Sequence, residues 1–219
     1  MKVVVVTGGI GSGKSVACRF LEDQFGWPVY NADAKVKQLY ASSRTLLPAI
    51  EAALGMSLRD ADGVFVPSLL GARIFADPEA LAKVEGLVFP ELTDDFEKWK
   101  AQQGNAEFVI LESATILEKP ALRGMWDILI LIDAPLDLRM ARAAARDGAA
   151  ETDIYRRMEN QTLMNEVSLG RVIPDADVVI LKFYLGNADV SSARVPLKAY
   201  YEWELSLGIK SRIIALRQS

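Results

Sequence analysis

Apolar residues along this chain fall into unbroken short runs and into runs at helical spacing, and the two kinds alternate. Val3-Val4-Val5-Val6 is a β-branched run closed by Thr7-Gly8-Gly9. A run without polar alternation reads as a strand buried on both faces of a parallel sheet. Val16, Ala17, Phe20 and Leu21 then recur at helical spacing from a start near Gly13, and Gly26 stands where that helix would stop. Pro28-Val29-Tyr30 predicts a short second strand, and Asn31-Ala32-Asp33 opens another helix to about Tyr40. Phe108-Val109-Ile110-Leu111-Glu112 and Ile128-Leu129-Ile130-Leu131-Ile132-Asp133 are two further strands, each ending in a carboxylate, and residues 176–181 supply a fifth.

The segments between the later strands are helical in pattern. Residues 46–103 carry turn signals at Asp60-Ala61-Asp62-Gly63 and a proline, Pro90, expected to bend or break a helix. Residues 136–166 form a second helical stretch, broken around Gly148, and residues 191–219 give only a weak helical signal. Strands alternating with helices predict an α/β fold of three layers, α/β/α, around a five-stranded parallel sheet, with the 46–103 helices as an insertion on the substrate side.

Composition narrows the class. Hydrophobic residues make up 51% of the 219, enough for a substantial core and unlike a disordered chain. A net charge of -4 lacks the basic field of nucleic-acid binders, so no nucleic-acid partner is expected. No apolar run approaches the ~18 residues of a membrane span, and Met1-Lys2 is followed by a run too short for a secretion signal. A cytoplasmic protein without membrane contact is expected. The single cysteine, Cys18, has no disulfide partner within the chain and falls among apolar helix positions, where burial is expected. Histidine is absent, which leaves proton transfer to carboxylates, lysine, tyrosine or water.

Gly8-Gly9-Ile10-Gly11-Ser12-Gly13-Lys14-Ser15 matches the phosphate-loop pattern of a glycine, four residues, then glycine, lysine and serine or threonine. Its place between a buried strand and a helix aims free N–H groups and the positive helix end at one anion. The pattern predicts ATP bound through Gly9, Gly11, Ser12, Gly13, Lys14, Ser15 and Val16, with Lys14 on the β- and γ-phosphates and the Ser15 hydroxyl on Mg²⁺. Glu112, at a strand end, is a candidate acid on the metal side or a partner for a helix terminus. Asp33, just past the second strand, is a candidate base for an attacking hydroxyl, although it or Asn31 has the chemistry of a helix N-cap. Asp133, followed by Pro135, reads as a cap of the next helix. Arg139, Arg142 and Arg146 share a helix face, either solvated or closing over the transferred phosphoryl group. Asp94, Asp95, Glu97, Lys98 and Lys100 read as a solvated helix face, and the tryptophans as packing residues.

Thr7-Gly8-Gly9-Ile10-Gly11-Ser12-Gly13-Lys14-Ser15 followed by Ala32-Asp33 resembles the opening of the dephospho-coenzyme A kinases, within the P-loop NTPase-type fold. The resemblance continues through Asp62-Gly63, Arg73-Ile74-Phe75, Asp77-Pro78, Glu112, Asp133-Ala134-Pro135 and Arg142 to Arg146-Asp147, about the first 180 residues. It implies ATP-dependent phosphorylation of the ribose 3′-hydroxyl of dephospho-coenzyme A. In the family the residue matching Asp33 is the base, and Arg142 and Arg146 lie on a helical lid over the phosphates. The implied division is a single domain with its core at about 1–45, 106–135 and 174–219, a helical coenzyme-side insertion at about 46–105 and a lid at about 136–170. The chain departs from the family pattern at Asn31, at Pro67-Ser68, at Phe89 before Pro90, in lacking an arginine soon after Gln161, and at Lys182-Phe183. A kinase for another small hydroxyl metabolite and an ATP-binding regulator are the alternative readings. The absence of an Asn-Lys-x-Asp segment speaks against a GTP switch.

Overall fold

The computed structural model describes residues 1–119, 121–122, 124–159 and 161 in full, and 120 and 177–182 as backbone. The expected weak helix at 191–219, and residues 160 and 162–166 of the expected 136–166 helix, lie outside the described residues. The chain divides into two compact units, Met1–Tyr30 with Asn105–Ser219, and Asn31–Gly104.

The first unit is built on a sheet of strand order β2-β3-β1-β4-β5. These are β1 (Lys2–Thr7), β2 (Val29–Asn31), β3 (Phe108–Glu112), β4 (Ile128–Asp133) and β5 (Asp177–Lys182). β1 runs parallel to β3 and β4, and β4 parallel to β5. The apolar runs have their physical cause here, because Val3 through Thr7 and all of Phe108–Glu112 are buried. Helix α1 (Lys14–Phe25) lays Ala17, Cys18 and Leu21 on the sheet beside Val4, Val6 and Ile110. Trp27 closes this cluster with its ring 4.8 Å from that of Phe108. Each such apolar side chain contributes about 1.5–3 kcal/mol when fully buried. The register pairs Val6 with Glu112 and Thr7 with Leu131, so the ends of three strands meet where the glycine loop begins.

Helices α6 (Leu136–Asp147) and α7 (Glu151–Glu159) follow β4. The break expected near Gly148 is present: Gly148 ends α6 in the left-handed conformation, its N–H bonded to Ala144 O. Asp133 does not cap α6, contrary to the expectation from Asp133-Ala134-Pro135. Pro135 occupies the cap position without a side-chain bond, while Asp133 Oδ1 accepts the N–H of the adjacent Ala134 at 2.9 Å.

The second unit holds α2 (Ala32–Ser42), α3 (Leu46–Leu54), α4 (Pro67–Ala76) and α5 (Pro78–Ala101). Pro90 does not break α5, which runs through it for 24 residues. Ala80, Val84, Val88, Leu92 and Phe96 recur every fourth residue and are all buried, so packing of one face outweighs the ~3 kcal/mol that an interior proline costs. The turn expected at residues 60–63 closes through Gly63 N–H to Asp60 O, and it joins Arg59 and Phe65 in an antiparallel bridge that the helical pattern gave no sign of. Asp95 is more than a solvated charge, since it pairs with Lys35 at 3.1 Å and ties α5 to α2.

Candidate nucleotide site

The loop between β1 and α1 is shaped by its glycines. Gly13 caps α1 in the left-handed region, at φ 104°, and offers no side chain to the helix end. The first-turn N–H groups of α1, those of Lys14 and Ser15 among them, have no partner within the helix and face outward with the positive end of its dipole. Gly11 also has positive φ, 76°, and a Cβ there would collide with the Arg139 carbonyl oxygen. A turn from Ser12 N–H to Gly9 O, 3.1 Å, curls the loop. The result is an anion cradle at the carboxyl end of a central strand.

On one side of the cradle the Ser15 hydroxyl donates to Glu112 Oε1 at 2.5 Å. Ser15 is exposed and Glu112 is buried, so an oxygen pair with one solvent-facing member stands beside the loop. Hard oxygen donors of this kind suit magnesium, which is commonly held by one or two side chains and shared with substrate phosphates. Among the described residues no group of three His, Cys, Asp or Glu forms a separate metal centre. Cys18 also hydrogen-bonds Glu112, and burial pushes its thiol far above the usual range, so it is a protonated packing group.

On the other side lies α6. Arg139, 7% exposed, donates through Nε to Ile10 O at 3.0 Å. Burial lowers the pKa of its guanidinium, with Asp133 opposing. Arg142 reaches the carbonyls of Gly11 and Ser12, both at 3.4 Å. Arg146 instead pairs with Asp147 at 2.6 Å, and Asp147 also accepts from Arg157 at 3.0 Å. Gln161 enters the sequence reading only as a landmark of the family pattern and with no site role, yet its Oε1 accepts Ile10 N–H at 3.0 Å and its Nε2 donates to Ala114 O at 2.9 Å. No local pattern could have marked a contact 151 residues away.

Gly9, Gly11, Ser12, Gly13, Lys14, Ser15, Glu112 and Arg142 are therefore gathered around one loop. Val16 turns its side chain into the core beneath and bonds its N–H to Gly13 O. Asp33 belongs to the second unit, half-buried in the first turn of α2, and capping there falls to Asn31, whose Oδ1 accepts Ala34 N–H at 2.8 Å. Among the described residues no helix is long and apolar enough to cross a membrane.

A parallel α/β sheet whose central strand opens through a glycine-lysine-serine loop into a helix defines a protein of the P-loop kinase-like class. The family model described as Dephospho-CoA kinase matches residues 2–180. A dephospho-CoA kinase of Porphyromonas gingivalis is 35% identical over 179 residues, covering 82% of this chain and 86% of that protein. The crystal structure of a Thermus thermophilus protein superposes with a TM-score of 0.70 at 26% identity, covering 85% of this chain and 90% of that one. A dephospho-CoA kinase from Campylobacter jejuni shares the fold, with a TM-score of 0.57 at 20% identity over 93% of this chain and 96% of that one. The chain belongs to the dephospho-CoA kinase family, and it is a kinase.

Proposed function

We propose that this protein transfers the γ-phosphoryl group of ATP to the ribose 3′-hydroxyl of dephospho-coenzyme A, yielding coenzyme A and ADP. The observation that carries the reading is the loop of residues 8–15 with Ser15 bonded to Glu112, in a chain of this family. Lys14 and the N–H groups at the start of α1 bind the phosphates and neutralise charge on the transferred group. Ser15 and Glu112 are the residues that would hold Mg²⁺, which would supply charge neutralisation to the phosphates. Asp33 takes the proton of the 3′-hydroxyl as the new oxygen–phosphorus bond forms and the bond to the β–γ bridging oxygen breaks, leaving ADP.

The helices of the second unit serve the acceptor side, and residues 136–170 act as the lid. Arg142 stabilises charge on the transferring group and Arg146 contacts the nucleotide once released from Asp147. A closed lid excludes water, the competing acceptor. ATP and dephospho-coenzyme A are the expected partners, in the cytoplasm.

The test is coenzyme A formation by the purified protein with ATP, Mg²⁺ and dephospho-coenzyme A, beside an ATPase control lacking acceptor. Asp33→Asn is expected to bind ATP as the native protein does and to turn over about a hundredfold more slowly, the scale of a lost general base. Chelation of the metal should stop the reaction. Unchanged turnover in Asp33→Asn would remove Asp33 from the mechanism, and ATP binding without product from native protein would redirect the search to another acceptor.

A further inference from the structure

Ile10 is held at every point where a residue can be held. Its N–H goes to Gln161 Oε1 at 3.0 Å and its carbonyl receives Arg139 Nε at 3.0 Å. Its side chain packs against Ala143, Ile154 and Met158, the buried cluster between α6 and α7. Both gripping side chains are buried, Gln161 to 3% and Arg139 to 7% exposure. Arg139 keeps its charge out of water although its Nη2, against Gly9, has no hydrogen-bond partner among the described residues. Burial of a charged group on so few bonds is costly, and it persists here at the one apolar side chain in a loop otherwise made of glycine and serine.

We propose that Arg139 and Gln161 are positioning residues for phosphoryl transfer: together they fix both backbone groups of Ile10 and so set the shape of the phosphate loop. A loop of glycines samples many backbone states, and locking its middle residue removes most of them without adding a side chain to the cradle. Gln161 does more than close the loop. Its second bond, to Ala114 O at 2.9 Å, fastens the loop to the segment leaving β3, two residues beyond Glu112. Ser15 bonds Glu112 at the other end of the loop. The phosphate cradle and the metal-side acid are thus both referred to the end of one strand. Phosphoryl transfer is catalysed largely by positioning, so such a reference acts on turnover more than on affinity.

The inference rests on the kinase reading above, and the experiment separates the two. Full-length native protein, Gln161→Leu, Gln161→Glu, Arg139→Met and the Gln161→Leu, Arg139→Met double variant are compared by steady-state kinetics, thermal melting and hydrogen exchange of residues 8–13. Gln161→Leu and Arg139→Met are expected to lower kcat by about 10–100-fold with a much smaller change in KM for ATP, the cost of slight misplacement. Exchange at the loop amides should accelerate in both. Gln161→Glu still accepts Ile10 N–H but, as a carboxylate, cannot donate to Ala114 O, and should fall between native and Gln161→Leu. Because both side chains act on Ile10, the double variant should lose less than the sum of the single losses.

Single variants that melt like the native protein and turn over within about twofold of it would overturn the inference, as would strictly additive losses or unchanged loop exchange. If Arg139→Met fails to fold, the two Gln161 variants decide. If native protein forms no coenzyme A, the functional reading has failed and loop exchange alone decides this one.

Discussion

Two demands coincide at Gly11: a positive φ of 76° and a backbone carbonyl of α6 where a Cβ would have to go. A side chain there strains the loop and pushes α6 away at once. Gly11→Ala is therefore expected to destabilise the protein by about 1–3 kcal/mol and to abolish ATP binding, read by chemical denaturation and calorimetric titration. Gly86, within α5, has open space around its Cβ position, and Gly86→Ala should instead stabilise by about 0.4–1 kcal/mol. Were the two substitutions equal in effect, the close approach of α6 to the loop would not be what constrains Gly11. The loop was legible as a sequence pattern because spacing alone encodes it. The reason each glycine is required was not, since it depends on a helix that begins 125 residues later.

At the scale of elements, α2 separates two jobs that the sequence left tied between neighbouring residues. Asn31 and Asp33 are both good N-cap residues, and only the geometry assigns the cap to Asn31. Asn31→Ala should cost about 1 kcal/mol of stability by denaturant titration, whereas Asp33→Asn should leave stability nearly untouched while turnover falls. The opposite pattern would assign the cap to Asp33. The arginine stripe of α6 divides likewise: spacings of three and four put Arg139, Arg142 and Arg146 on one face, and packing against the loop buries the first while the last pairs with Asp147. Hydrogen bonds from Arg146 and then Arg157 hold the Asp147 carboxyl down at about 2. A depressed carboxylate stabilises the fold above its unfolded value of about 3.9 and loses that contribution as pH falls through its folded value. The difference in Tm between native protein and Asp147→Asn should thus be present at pH 5 and shrink toward pH 2. A constant difference would mean that Asp147 acts by packing, not charge. Strands were the most legible elements, because burial on both faces writes itself as an unbroken apolar run. Pro90 and the Arg59–Phe65 bridge were the least, since a packed face overrides proline propensity and a two-residue pairing leaves no period.

On the scale of the whole molecule, the two units differ in how the chain supplies them. Asn31–Gly104 is one continuous stretch, whereas the sheet-bearing unit takes its first strand from one end of the chain and the partners of that strand from beyond residue 104. Helices of the continuous unit meet through local contacts, which form early, and the pairing of β1 closes a long loop. The parallel α/β class could be read from the alternation of elements, but no periodicity reports that the first strand ends up between the third and the fourth.

That central seat of β1 has a consequence during synthesis. The four valines leave the ribosome well before their neighbours, and the two flanking strands are complete only once residues 112 and 133 have been made. At ~5–20 residues per second the interval is on the order of ten seconds. Throughout it, a short β-branched segment waits without its full set of partners while the helices of residues 31–104 are already able to assemble. Stalled nascent chains should therefore acquire ATP binding only once β4 has cleared the exit tunnel, and binding by chains that end before residue 128 would contradict this order. The same valines that make the strand a dependable floor for the nucleotide make it, for those seconds, an unburied apolar segment in need of shelter.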